Sequence, residues 1–238
     1  MTDAGARLAG VAARLRAACA RAGRPEDAAA VVAVSKFHGA DAVLPALLGG
    51  HLRFAESRVQ EAQAKWPELR ERFPEAELHL IGTLQTNKAA DAVRLFDVVQ
   101  SVDRPKVAAA LARAMDREGR RPRCFVQVNT GAEGQKGGIA VDEVAAFVKE
   151  CRESLELPLA GLMCIPPVSA DPAPHFRLLR TLAADTGLPE LSMGMSADFE
   201  TAVAEGSTLV RVGSAIFGPR PPAGPPDRVP PEPPGSGS

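Results

Sequence analysis

Residues 31–50 read VVAVSKFHGADAVLPALLGG. Val31 to Val34 are small or β-branched and Ser35 extends the run, which stops at Lys36; after a short loop, ADAVLPALLGG has helical spacing and ends on glycines. A buried strand followed at once by a helix is the repeating unit of a parallel sheet, because a parallel partner is reached only by a crossover. Strand alternation puts Val32, Val34 and Lys36 on one side. If that side is buried, desolvation disfavours the ammonium and frees a neutral amine to attack a carbonyl. A Schiff-base lysine is one reading; a solvated strand-end cation is the other.

The unit recurs. Apolar runs fall at 31–35, 52–55, 78–82, 96–100, 124–128, 159–165, 190–193 and 208–212, with seven helical patterns between them. An opening helix at about 4–22 carries Leu8, Val11, Leu15 and Cys19 on one stripe. Eight strand–helix units predict an α/β fold, a closed (β/α)8 TIM-type barrel. The opening helix completes its outer ring where no helix is expected after the eighth strand. A doubly wound open sheet is the competitor, since a strand count does not prove closure. The barrel takes residues 1–219, and the Pro-rich segment 220–238 is expected to be a disordered or extended tail.

Composition narrows the function. The net charge of −1 gives no reason to expect nucleic acid or an anionic membrane as partner. No apolar segment approaches the ~20 residues of a membrane span, and the first residues lack a signal-peptide pattern. Cys19, Cys124, Cys151 and Cys164 are scattered, with no C-x-x-C pair and no histidine at ligand spacing, so reduced thiols, no metal site and a cytoplasmic location are expected. Cys124 and Cys164 read as core packing, and His38, His51 and His175 as loop or helix-surface groups. The chain has no tyrosine, which excludes a Tyr general base. Arginine carries most of the basic charge; the lysines are Lys36, Lys65, Lys88, Lys106, Lys136 and Lys149.

The last two strand ends add a second feature. LSMGMSADFE (191–200) and STLVRVGSAIFG (207–218) place Gly194, Ser196, Gly213 and Ser214 just past strands seven and eight, with Ser196 or Asp198 suited to cap the next helix. Backbone N–H groups there form the phosphate site of many barrels. Tight turns alone explain such glycines equally well. A lysine after strand one facing a phosphate cradle after strands seven and eight suits a phosphorylated aldehyde, of which pyridoxal 5′-phosphate is the commonest held on lysine.

AVSKFHGADAV, FAESRVQEAQAK, ELHLIGTLQTNKA, VQSVD, FVQVNTGAEGQKGGI, GLMCIPP and LSMGMSADFETAVAEGSTLVRVGSAIFG occur in that order. Together they resemble the pyridoxal-phosphate homeostasis protein family, single-domain barrels similar to the N-terminal domain of alanine racemase. The resemblance covers about residues 5–219. It implies that Lys36 forms an internal aldimine with pyridoxal 5′-phosphate. It further implies that Ser196, Gly213 and Ser214 hold the phosphate, that Arg211 contacts the ring nitrogen, and that Met195 and His79 belong to the cofactor site. His79, Gln85, Asn87 and Lys88 match a signature expected at the rim, and Lys136 matches a lysine of the loop after strand five. Ala55, Ser57 and Arg58 stand where the family has Gly, Asn and Tyr; Glu56, Val59, Gln60 and Glu61 are kept.

The implied function is a non-catalytic carrier or buffer in intracellular pyridoxal phosphate (vitamin B6) homeostasis. It has no catalytic residues, its partners are apo-enzymes that need the cofactor, and a monomer is expected. A racemase needs a base on each face of the substrate carbon, and this chain has no tyrosine to supply the second. The alternatives are a pyridoxal-phosphate-dependent amino-acid racemase or a Schiff-base aldolase on the same barrel.

Overall fold

Each of the eight apolar runs forms a strand, and the strands close. In the computed structural model, which describes residues 4–134 and 137–219, β1 (Ala30–Val34), β2 (Arg53–Glu56), β3 (Glu77–Leu80), β4 (Val98–Val102), β5 (Arg123–Val128), β6 (Leu159–Cys164), β7 (Glu190–Ser192) and β8 (Leu209–Val212) form one closed parallel barrel in sequence order. Closure is made by β8 on β1, with Ala30, Val31, Val32 and Ala33 opposite Leu209, Val210, Arg211 and Val212. The open-sheet alternative is thereby excluded. Lys136 and the 220–238 tail lie outside the described residues.

Helices α1 (Ala4–Arg21), α2 (Ala40–Leu48), α3 (Val59–Arg72), α4 (Ala89–Leu95), α5 (Pro105–Glu118), α6 (Val144–Glu153), α7 (Pro172–Thr186) and α8 (Phe199–Ala204) surround the barrel. α1 packs between α2 and α8, as the opening helix should if it closes the ring. It is tied there by Arg14 to Glu200 at 3.1 Å and by Arg24, which donates to the carbonyls of Val203 at 2.8 Å and Ser207 at 2.9 Å. One difference from the expectation is a single helical turn, α9 (Ser214–Phe217), directly after β8. The run GSAIFG has only four residues between its glycines, too few to show a helical period.

α7 shows how local sequence sets the element ends. Asp171 accepts from the Ala173 N–H at 3.1 Å, Pro172 takes the first turn where no N–H is needed, and Gly187 ends the helix at φ 64°. A side chain with Cβ would resist that left-handed conformation.

Burial sorts the residues into two cores. The larger lies between strands and helices and includes Trp66, Phe54, Phe96, Phe176 and Phe199. The smaller fills the barrel interior with Val32, Val34, Ala55, Val98, Phe125, Met163 and Leu209. All four cysteines are buried free thiols, and burial pushes those of Cys124 and Cys164 up to about 12. Among the described residues no helix is long and apolar enough to cross a membrane.

The N-terminal end of the barrel is sealed by charge. Glu77 pairs with Arg123 at 3.2 Å and Arg53 at 3.4 Å, and Arg123 also reaches Glu190 at 2.7 Å. The hydrogen bond from His79 chiefly holds Glu77 down from 4.5 to about 2, against a burial effect that raises it, with Arg123 and Arg53 adding attraction. A carboxylate depressed in this way stabilises the fold fully above its unfolded value and loses that contribution as pH falls through its folded one. Wild-type stability should therefore decline between about pH 4.5 and 2 from this group. Glu77→Gln should remove that part of the pH dependence and cost on the order of 2 kcal/mol at neutral pH. Urea titrations across pH check both, and an unchanged acid slope in the variant would contradict the assignment.

Candidate functional site

Lys36 lies two residues past the end of β1, half-buried, in a loop that its neighbours hold rigidly. Phe37 adopts φ 69°, a left-handed conformation rare for a bulky side chain. The surroundings fix it: Phe37 N–H donates to Glu61, and the Lys65 ammonium donates to the carbonyls of Ser35 at 2.9 Å and His38 at 2.7 Å. Lys65 also pairs with the fully buried Glu56 at 2.6 Å. Glu56 further accepts from the Ser35 hydroxyl at 2.6 Å and the Trp66 indole N–H at 3.1 Å. Burial still pushes its carboxyl above the usual range, although these partners pull the other way. Sequence reasoning did not see this clamp. The available signal was the i,i+4 pair Glu61 and Lys65, the latter a rare lysine in a chain that writes its charges as arginine.

Above the C-terminal ends of the strands opens a cavity of about 570 Å³. Lys36 lines it together with Met195, Ser196, Arg211, Gly213 and Ser214, so the strand-one lysine and the turns after strands seven and eight do share one space. Gly213 makes this approach possible. A Cβ there would stand 3.1 Å from the Val34 carbonyl oxygen, tighter than ordinary contact, and Val34 is two residues before Lys36. Asp198 sits at the N-cap of α8, but its carboxylate accepts from the Met195 N–H at 2.6 Å, which shapes the Met195–Asp198 turn. Ser57, Thr83 and Gln127 also line the cavity. They are strand-end residues of β2, β3 and β5 whose polar side chains gave no distinctive pattern in the sequence.

Arg211 is the buried cation of the site, 3 % exposed. Its Nη1 donates to Ser192 Oγ at 2.7 Å and its Nη2 to the Cys164 carbonyl at 2.8 Å, so neither bond uses Nε. Burial lowers its pKa from the ordinary arginine value, while the charge of Asp198 acts the other way.

His79 does not line the cavity and is not at the rim. It lies inside the barrel on β3, fully buried, because strand alternation turns Glu77, His79 and Ile81 inward. Its Nε2 meets Glu77 Oε1 at 2.8 Å and its Nδ1 meets Gln100 Nε2 at 2.7 Å. Gln85 and Lys88 of the same signature line a neighbouring cavity with Arg58 and Gln60. The other histidines follow expectation in part: His38 stacks on Phe217 with centroids 5.4 Å apart, and His175 Nδ1 lies 3.0 Å from the Thr130 carbonyl.

The family model described as alanine racemase, N-terminal domain, matches residues 7–221. The pyridoxal phosphate homeostasis protein of Pseudomonas aeruginosa is 39 % identical over 218 residues, covering 90 % of this chain and 94 % of the relative. That of Deinococcus radiodurans is 40 % identical over 210 residues, covering 87 % and 97 %. The solved structure of PipY from Synechococcus elongatus with pyridoxal phosphate bound superposes with a TM-score of 0.78 at 36 % identity, covering 90 % of this chain and all of that one. These matches run the length of the barrel and take up 94 % or more of each of these three proteins. This chain belongs to the pyridoxal phosphate homeostasis protein family, whose barrel is of the alanine racemase N-terminal type.

Proposed function

We propose that the protein binds pyridoxal 5′-phosphate in the cavity beside Lys36, holds it covalently through the Lys36 amine, and serves as an intracellular carrier without turnover of its own. The donor set suits the ligand. One cavity is lined by an amine, by serine hydroxyls of the turns after β7 and β8 and by a guanidinium fixed in the barrel wall. When bound, the cofactor supplies an aldehyde for amines and a ring that can delocalise negative charge. Lys36 supplies the amine, and its clamped loop limits where that amine can reach. Ser196, Ser214 and the backbone at Gly213 would take the phosphate, and Met195 would cover it. Arg211 would donate to the ring nitrogen; a guanidinium has no acceptor and does not give up its proton in a protein, so that nitrogen would stay unprotonated.

One observation carries the non-catalytic part of this reading. Among the described residues that line the cavity, no histidine, aspartate or glutamate is present, and Lys36 is the single group able to act as a base. Proton exchange at a substrate carbon by two faces needs a second. The relatives named for homeostasis and the pyridoxal-phosphate-bound PipY support the cofactor assignment.

Two outcomes are expected. Protein loaded with pyridoxal phosphate should not racemise, transaminate or decarboxylate common amino acids, yet it should restore an apo-enzyme that needs the cofactor. Enclosing the loaded protein behind a dialysis membrane separates simple release from hand-over on contact. Robust amino-acid turnover that survives repurification would return the racemase reading. Second, Ser196→Ala with Ser214→Ala should weaken pyridoxal phosphate by about tenfold per lost hydrogen bond to a charged group, while unphosphorylated pyridoxal changes little. Equal losses for both ligands, measured by equilibrium dialysis, would contradict the cradle.

A further inference from the structure

Arg211 is a buried cation with no carboxylate in ion-pair contact among the described residues. What it touches leads away from the cavity, through the barrel interior. Arg211 Nη1 meets Ser192 Oγ at 2.7 Å, Ser192 Oγ meets Gln100 Oε1 at 2.6 Å, Gln100 Nε2 meets His79 Nδ1 at 2.7 Å, and His79 Nε2 meets Glu77 Oε1 at 2.8 Å. Ser192, Gln100 and His79 are each 0 % exposed, so no solvent competes for these bonds. The line passes from β8 through β7 and β4 to β3 and joins the site to the charged seal at the other end.

The two ends fix its direction. A guanidinium can only donate, and an ionised carboxylate can only accept. Ser192 must then accept from Arg211 and donate to the Gln100 carbonyl oxygen. In the orientation the Gln100 amide takes, its N–H donates to His79 Nδ1, which leaves the His79 Nε2 proton directed toward Glu77. We propose that Ser192, Gln100 and His79 form a one-way hydrogen-bond relay that positions the Arg211 guanidinium toward the cofactor's ring nitrogen and couples it to Glu77. This rests on the reading of the cavity as a pyridoxal phosphate site. His79 is thus a positioning residue that acts through two others, without touching the cofactor.

The relay has one weak point. A proton on His79 Nδ1 would face the Gln100 amide N–H, donor against donor. Relief requires the Gln100 amide to turn over, which brings a second donor to Ser192 Oγ and takes away the acceptor for the serine's own proton. The charged groups around the two ends oppose this. Glu77 is paired with Arg53 and Arg123, Arg123 with Glu190, and Arg211 is influenced by Asp198, while the Cys164 thiol beside it stays neutral.

The test uses pyridoxal phosphate labelled with ¹⁵N in the ring, bound to the full-length protein. In wild type the ring resonance should keep the position of an unprotonated, hydrogen-bonded nitrogen from neutral to mildly acidic pH. Gln100→Met breaks two links without touching Arg211, and its resonance should move toward the protonated position as pH falls. Gln100→Glu keeps an acceptor for Ser192 but its carboxylate cannot donate to His79 Nδ1, so it breaks the relay at that link and its resonance should move in the same direction. If Gln100→Met lowers the melting temperature but leaves the ring resonance and its pH dependence unchanged, the chain serves folding alone and the proposal fails. Should the variants not fold, the His79 ring nitrogens of unaltered apo protein decide. A neutral ring protonated on Nε2 supports the relay, and a proton on Nδ1 overturns it. That measurement needs no cofactor, so it judges the relay separately from a wild-type protein that fails to take up pyridoxal phosphate.

Discussion

The register of β8 on β1 is the constraint on which the site depends. Pairing Ala33 with Val212 closes the barrel and, in the same step, brings the turn at Gly213 and Ser214 against Val34 and the lysine two residues beyond it. Neither half of the site exists without closure. They come from opposite ends of the chain, and only the hydrogen bonds between first and last strand make them neighbours. A slip of one residue in β8 would turn Arg211 out of the interior, since side chains alternate faces with period two.

Charge buried in this barrel serves geometry more than stability. A buried ion pair costs desolvation that its attraction only partly offsets. The Lys65–Glu56 pair spends its remaining hydrogen bonds on the carbonyls of Ser35 and His38 and on the Ser35 hydroxyl, the backbone on either side of Lys36. Arg211 spends both terminal nitrogens on the barrel wall. Both arrangements convert an unfavourable burial into a fixed position for a group that faces the cavity. Lys36 stands on one clamp and Arg211 is held by the other.

The fold was legible because each strand is short, apolar and separated from the next by a helix-period segment, a pattern that only a parallel sheet accommodates. The end residues of the first, seventh and eighth strands were legible for a related reason: a polar or glycine residue ending a buried run stands out. What escaped was set by contacts across the barrel. Lys65 lies on the buried side of α3 as one of three cations in a polar helix, and its i,i+4 spacing from Glu61 is a weak hint that it reaches back under β1. His79 stands two residues after Glu77 and before the segment LIGTLQTNK, and the sequence alone places it with that segment at the rim. Its inward position follows from alternation along β3, and its partner Gln100 is separated from it by 21 positions in sequence. The turn α9 is too short for periodicity to detect.

On the proposed function, closure sets Lys36 against the aldehyde of a ligand whose phosphate lies at the turn after β8. Borohydride reduction of protein loaded with pyridoxal phosphate, followed by peptide mapping, tests it most directly, because reduction makes the covalent link permanent at whichever amine holds it. A single pyridoxyl modification on Lys36, absent in Lys36→Ala, is expected. Modification spread over the other lysines, or none on Lys36 in protein that has taken up the cofactor, would contradict it.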